Sequence, residues 1–298
     1  MFLLFERFPE LAARARRVPL GRFPTPVHRL ERLSRRLGVE VWVKREDRTA
    51  DGCGGNKVRG LEFLLGAPGP ATLLVPAVSG SHHARAASVH GAAQGFRVVP
   101  VLFDAARPAH ALAVPFRLLA ARLRNGPGRV LPPGGSSALA ALGHVNAMLE
   151  LAAQVERGDA PRPRAVFVAS GTGGTAGGLW AGLGLLGWDV ALHAIAVSAW
   201  PFDSAARVRR MAEEALRMLG RPPTRGAGAS LLVTRRFRGP GYGRPTPEAE
   251  DALALASEDG LALELTYTAK ALAALVAAAR AVAPGPLLFW HTAPAPGS

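Results

Sequence analysis

The chain has 298 residues, of which 49% are apolar and 19% charged. That length buries a core for one large domain or two ordinary ones without disulfides or metals, and the composition excludes a disordered chain. Lys and Arg number 36 against 22 Asp and Glu, a net charge of +14, but the arginines are scattered rather than clustered with aromatics, which disfavours a nucleic-acid interface and leaves a basic, solvated surface.

The opening MFLLFERFPE meets a charge too early for a secretory signal. Val39–Lys44 alternates apolar and polar residues, as a half-buried strand does. Cys53 is the single cysteine, so no internal disulfide forms, which points to a reducing compartment. Val58, Leu61, Leu64 and Leu65 recur at helical spacing. A buried strand follows at Ala71–Val78, weakened by Pro76, then a helix over His83–Gln94 and a strand over Phe96–Phe103. A helix near Pro115–Arg124, a short strand at Arg129–Leu131 and a long helix over Ser136–Arg157 come next. The Gly158–Arg164 loop reads as a domain connection. Ala165–Ser170 is a buried strand running into a glycine-rich loop and a helix. Val190–Ser198 reads as a strand, Ala205–Leu219 as a helix, and Arg221–Gly243 as an extended surface segment. Helices over Glu248–Glu258 and Thr268–Ala283 precede a last buried strand, Pro286–His291. No uninterrupted apolar run reaches about 18 residues; Gly171–Trp188 comes nearest and reads as a loop plus a buried helix. This alternation of strands and helices predicts an α/β fold with mostly parallel strands, binding its ligand at the strands' C-terminal ends. A cytoplasmic protein without nucleic-acid or membrane partners is the expectation.

Four constellations carry chemistry. In GGNK, Gly54–Lys57, two glycines permit close backbone approach, Asn56 both donates and accepts, and Lys57 opens a helix. A lysine so placed, partly desolvated near the positive end of a helix, has the lowered pKa that a Schiff-base lysine needs; a turn with a solvated lysine is the alternative. Only Lys44 and Lys270 compete with it, and neither adjoins a glycine loop. Ser170, Gly171, Thr172, Gly173, Gly174 and Thr175 lie between a strand and a helix and form either a phosphate cradle or a plain tight turn. The loop lacks a Walker ending, which disfavours ATP. In SGSHHAR, Ser79–Arg85, the Ser81 hydroxyl and nearby N–H groups suit a substrate carboxylate, or Ser81 only caps a helix beside surface histidines. His82 and His83 are adjacent and are expected to point different ways; no ligand cluster elsewhere supports a metal. Tyr242 and Tyr267, the only tyrosines, sit beside predicted elements, suited to orient a substrate or relay protons, or simply packed. No Ser/His/Asp signature, HExxH or CxxC supports acyl transfer or zinc hydrolysis.

GGNKVRGLEFLL, SGSHHARAASVHGAAQGF, LPPGGSSALAALGHVNAMLEL, ASGTGGTAGGL, GPGYGRPTPEAEDALAL, YTAKALAAL and LLFWHT occur in that order, from about Phe23 to Thr292. Together they resemble the pyridoxal-phosphate enzymes of the 1-aminocyclopropane-1-carboxylate deaminase and D-cysteine desulfhydrase family. The resemblance implies a tryptophan-synthase-β-like α/β fold (fold type II). Its large cofactor domain would span residues 1–66 and 151–298, with a small inserted α/β domain at 67–150 and pyridoxal 5'-phosphate in the cleft between. It implies that Lys57 carries the cofactor, that Asn56, His82, Thr292 and the Ser170–Thr175 loop bind it, and that Ser81, Tyr242 and Tyr267 act with Lys57 in catalysis. Thr268 and Thr292 match the desulfhydrase branch, where the deaminases carry Glu and Leu. His82 stands where the family has Asn, and Ala293-Pro294 where it has Gly-Gly. The implied activity is elimination from a small amino acid, D-cysteine by preference, in a homodimer. The alternatives are cyclopropane-ring deamination, another amino-acid deaminase or racemase, or a non-catalytic cofactor-binding relative.

Overall fold

A computed structural model describes residues 2–104, 112–199, 202–222, 229–279 and 285–293. Two sheets organise them. The larger has six strands, in the order β1 (Val27–Arg29), β2 (Val41–Arg45), β9 (Leu287–His291), β6 (Ala165–Ser170), β7 (Ala191–Ala196), β8 (Ser230–Thr234). Only the β1–β2 pair is antiparallel. The strand nearest the C-terminus thus sits between strands from the first and second halves of the chain. Every residue of β6 and β9 is buried, which is why both read as continuous apolar runs. The smaller sheet places β3 (Thr72–Ala77) between β4 (Arg97–Leu102) and β5 (Arg129–Val130), all parallel. Pro76 is tolerated there because β5 pairs only at Leu73 and Leu74.

The predicted α/β alternation holds, and four elements escaped it. The helices α1 (Leu3–Arg7) and α2 (Glu31–Leu37) are short, and β1 has only three residues. The Arg221–Gly243 segment is not merely extended surface: β8 and a turn at Arg236–Arg238 lie within it. β8 is an edge strand with no fully buried residue, so it carries no apolar signature. The expected helix end at 280–283 lies outside the described residues, as does 223–228.

The remaining helices are α3 (Lys57–Gly66), α4 (His82–Ala93), α5 (Val114–Asn125), α6 (Ala138–Glu156), α7 (Gly174–Leu186), α8 (Ala205–Met218), α9 (Pro247–Glu258) and α10 (Thr268–Ala279). α6 is long and apolar enough to cross a membrane by length and composition alone. It is instead largely buried, packed against α3, α7 and α8. The Gly171–Trp188 stretch is a loop and the buried helix α7, as expected.

Beneath α3 lies a buried polar network. The Arg59 guanidinium is held by both carboxylate oxygens of Glu46 and, at 2.8–2.9 Å, by both of Glu150. Thr25 Oγ1 donates to Glu46 at 2.7 Å, and Asn146 Nδ2 to Glu150 at 2.8 Å. Lys44 Nζ donates to Thr25 O and Gln154 Oε1, each at 2.7 Å. Burial pushes the Glu46 carboxyl up, but the adjoining guanidinium more than offsets this and holds it below its ordinary value. Removing one partner of such a buried set strands the others. Arg59→Met is therefore expected to lower stability by ~3–5 kcal/mol, read as a fall in the urea midpoint at unchanged slope.

Candidate active site

The C-terminal ends of β6 and β9 and the N-terminal ends of α3, α4 and α7 converge on one cleft. It is lined by Asn56, Lys57, Ser81, His82, His83, Gly134, Ala169 to Ala176, Tyr267, Thr292 and Ala293, and encloses about 590 Å³ including open solvent. Among the described residues Lys57 is the only charged side chain in that wall. It begins α3, and burial alone pushes its amine down to about 8. At neutral pH a useful fraction is therefore the free amine.

The loop after β6 faces it. Gly173 adopts a left-handed conformation (φ 87°) as the residue before α7, which favours glycine. A Cβ on Gly174 would lie 2.5 Å from Ser136 Oγ, so only glycine lets the loop lie this close. Ser136 Oγ accepts from Gly174 N–H at 3.1 Å and shares a hydrogen bond with Thr172 Oγ1 at 2.6 Å. Ser198 Oγ donates to Gly171 O at 2.5 Å, and Arg207 Nε to Thr172 O at 2.8 Å. These bonds fix the cup from outside and leave a helix N-terminus facing the cleft, a surface made for a phosphate.

On the opposite wall Ser81 does cap α4: its Oγ accepts from Ala84 N–H at 3.3 Å. It lines the cleft as well, so both readings of this serine apply. His82 and His83 diverge as expected, the His82 ring lying by Gly55 and the His83 ring by Gly135, although both line the cleft that wraps the first turn of α4. Burial first, then the charge of Lys57, lower His82 to about 4 and His83 to about 3. Both are neutral imidazoles at physiological pH. Among the described residues no group of three or more His, Cys, Asp or Glu assembles for a metal.

Asn56 N–H donates to Thr292 O at 2.7 Å, tying the start of α3 to the end of β9. Tyr267 lines the cleft, and its ring lies against Gly171. Tyr242 reaches the cleft only through the Tyr267 hydroxyl, at 2.8 Å. Burial raises both phenols above their ordinary value. Thr268 stays out of the cleft; its hydroxyl bonds Glu264, whose carboxylate also accepts from the Tyr267 and Thr268 N–H groups. The residues that sequence reasoning left without a role are Ser136, Gly134, His83 and His144. Ser136 and His144 lay inside the quoted LPPGGSS and LGHVN segments, but nothing in their spacing announced the glycine loop they would touch.

The site fits pyridoxal phosphate on three counts: a partly neutral lysine at a helix start, a glycine cup that a Cβ would fill, and a buried His82 Nε2 with no protein partner. The pyridoxal-phosphate dependent enzyme family matches residues 18–115 and 111–293. The chain belongs to the pyridoxal-phosphate-dependent enzymes. Curated relatives include D-cysteine desulfhydrases from Klebsiella pneumoniae and Salmonella newport, each 33% identical over 92% of both chains. A solved ACC deaminase homologue superposes with a TM-score of 0.78 at 28% identity, covering 97% of this chain and 94% of its own. A threonine deaminase from T.th., 23% identical with a TM-score of 0.60 over 97% of this chain and 96% of its own, shares the fold. The fold is therefore that of the type II pyridoxal-phosphate enzymes, and the chain is a lyase or deaminase of that class. In this pyridoxal-phosphate enzyme, Gly174→Ala is expected to push the loop off Ser136, lower stability by ~1–3 kcal/mol, and weaken cofactor binding in an absorbance titration.

Proposed function

We propose that the chain is a lyase of the D-cysteine desulfhydrase type, converting D-cysteine and water to pyruvate, ammonia and hydrogen sulfide. The observation that carries this reading is Lys57, a partly buried amine with no carboxylate in its cleft, facing the glycine cup. The desulfhydrase relatives at 33% identity support the substrate, and so does Thr292 in the cleft wall.

In this reading Ser170–Thr175 hold the cofactor's phosphate through loop N–H groups and hydroxyls. Lys57 would hold the cofactor through its amine, and Asn56, His82 and Thr292 would help to hold it in the cleft. Pyridoxal phosphate, when bound, supplies the electron-withdrawing ring that stabilises charge left at Cα. Lys57, released as a neutral amine, takes the α-proton. Ser81, at the α4 N-terminus, offers its hydroxyl to the substrate carboxylate. Tyr267 stays protonated because it is buried, so it has a proton to give the departing thiolate, and Tyr242 orients it.

The domain division at 1–66 with 151–298 and 67–150 belongs to the same proposal. The two sheets support it, although the boundary at 150 falls inside α6, which packs on α7 and α8. A cytoplasmic homodimer is the assembly proposed; the buried, unpaired Cys53 agrees with a reducing compartment. A second reading, 1-aminocyclopropane-1-carboxylate deamination, is favoured by the likeness to the ACC deaminase homologue.

Purified enzyme is expected to release sulfide and pyruvate in equal amounts from D-cysteine, and Lys57→Ala to abolish this. Keto acid from the cyclopropane substrate without sulfide from D-cysteine would select the second reading. Burial disfavours the ammonium, so the neutral fraction of Lys57 grows as pH rises through about 8. Capture of pyridoxal phosphate by cofactor-free protein should therefore quicken about tenfold per pH unit below that value and level off above it, as followed by stopped-flow absorbance.

A further inference from the structure

Lys57 also forms part of a second, smaller chamber that adjoins the cleft, between α3, α6 and the glycine loop. Its wall contains Gly60 and Leu61 of α3, Ala140, Ala141 and His144 of α6, and His83, Ser136 and Thr175. The space open to the centre of a water molecule is about 10 Å³, close to the ~10–15 Å³ that a single water needs. It is too small for any substrate.

The polar groups of this wall are unusual. His83 is 2% exposed and His144 4%. Both ring nitrogens of His83, and Nδ1 of His144, meet no protein partner. Such groups are normally satisfied, and a chamber of one-water size with two or more polar partners is where a bound water does so. The other nitrogen of His144 is engaged. Asn56 Nδ2 donates to Thr175 Oγ1 at 2.7 Å, and Thr175 Oγ1 lies 3.3 Å from His144 Nε2. With Asn56 donating, Thr175 keeps its own hydroxyl proton to give; given to His144 Nε2, it places the imidazole proton on Nδ1, the nitrogen without a protein partner.

We propose that Asn56, Thr175, His144 and one water bound in this chamber form a directed hydrogen-bond chain that ends on Lys57 and holds its amine in the neutral form. The water accepts from His144 Nδ1–H and so turns its own protons toward the amine lone pair. His144 is thus a positioning residue, since it touches neither cofactor nor substrate. Among the described residues the ionisable groups that line these spaces with Lys57 are His82 and His83 from α4, His144 from α6 and Tyr267 from the loop before α10, and no Asp or Glu does. The three histidines are neutral, so none supplies a competing charge. The inference rests on the reading of Lys57 as the cofactor lysine, but its test does not need cofactor or turnover.

The chain has three lysines, so lysine labelled with carbon-13 gives three side-chain signals, and Lys57→Arg identifies the one that matters. In the cofactor-free full chain, His144→Phe keeps a buried ring and removes the donor. The Lys57 midpoint is expected to rise by roughly one pH unit, and His144→Gln, which restores an N–H, to bring it back. A high-resolution crystal structure is expected to show one water on His144 Nδ1. An unmoved or lowered midpoint in folded His144→Phe, or no water at that nitrogen, overturns the chain. Undiminished cofactor capture by Lys57→Ala would instead overturn the assignment of Lys57.

Discussion

Arg59 is the constraint from which the site follows. A guanidinium clamped between two buried carboxylates costs several kcal/mol of desolvation per ion and is repaid only in good geometry. Here the geometry is supplied from three parts of the chain: Glu46 beyond β2, Glu150 of α6, and Thr25 near the N-terminus. Arg59 lies two residues after Lys57 on α3. The clamp therefore sets the height and rotation of the helix whose first residue faces the cleft. Gly143, whose Cβ would lie 2.3 Å from Arg59 O, lets α6 come close enough for Glu150 to reach.

The same network explains why one lysine opens on the cleft and another is sealed. Burial lowers Lys44 and Lys57 alike, to about 8. Lys44 is sealed, with Nζ donating to Thr25 O and Gln154 Oε1 and Glu150 Oε2 at 3.7 Å. Carboxylates and carbonyls there favour the ammonium, in part against burial. Among the described residues Lys57 has no carboxylate in its wall, and it opens on the cleft. A depressed pKa alone marks neither residue; access and the absence of a counterion distinguish them.

The sequence carried the parts of this design that local pattern encodes. Strands buried on both faces, such as Ala165–Ser170 and Leu287–His291, appear as apolar runs, and the turns around Lys57 and Thr172 appear as glycines. Six of the seven ordered motifs hold residues that meet in the cleft directly: Lys57, Ser81, Gly134, Gly174, Tyr267 and Thr292. What stayed hidden depends on tertiary placement. Ser136 and Thr175 become a cup only when α6 and α7 lie side by side. His144 reads as one polar residue on an apolar helix until Thr175 stands against it. The edge strand β8 draws its structure from backbone pairing with β7 and has no buried side chains to announce it. The adjacent histidines diverge to separate neighbours, Gly55 and Gly135, and a cleft folded around a helix end receives both.

The net charge of +14 makes the composition of the cleft more telling. A basic protein built to hold an anion by side-chain charge would turn arginines inward. Among the described residues none lines this cleft; Arg207 approaches it only to bond a loop carbonyl. In the proposed reading the anion is left to helix N–H groups and hydroxyls, whose dipoles attract it without adding full charges nearby. An arginine in the cup would lower Lys57 further but would compete with it for the phosphate's field and add a second cation to desolvate. With neutral histidines on one side and backbone dipoles on the other, Lys57 is the single group of that wall, among the described residues, that can rest as a cation, and burial governs its proton.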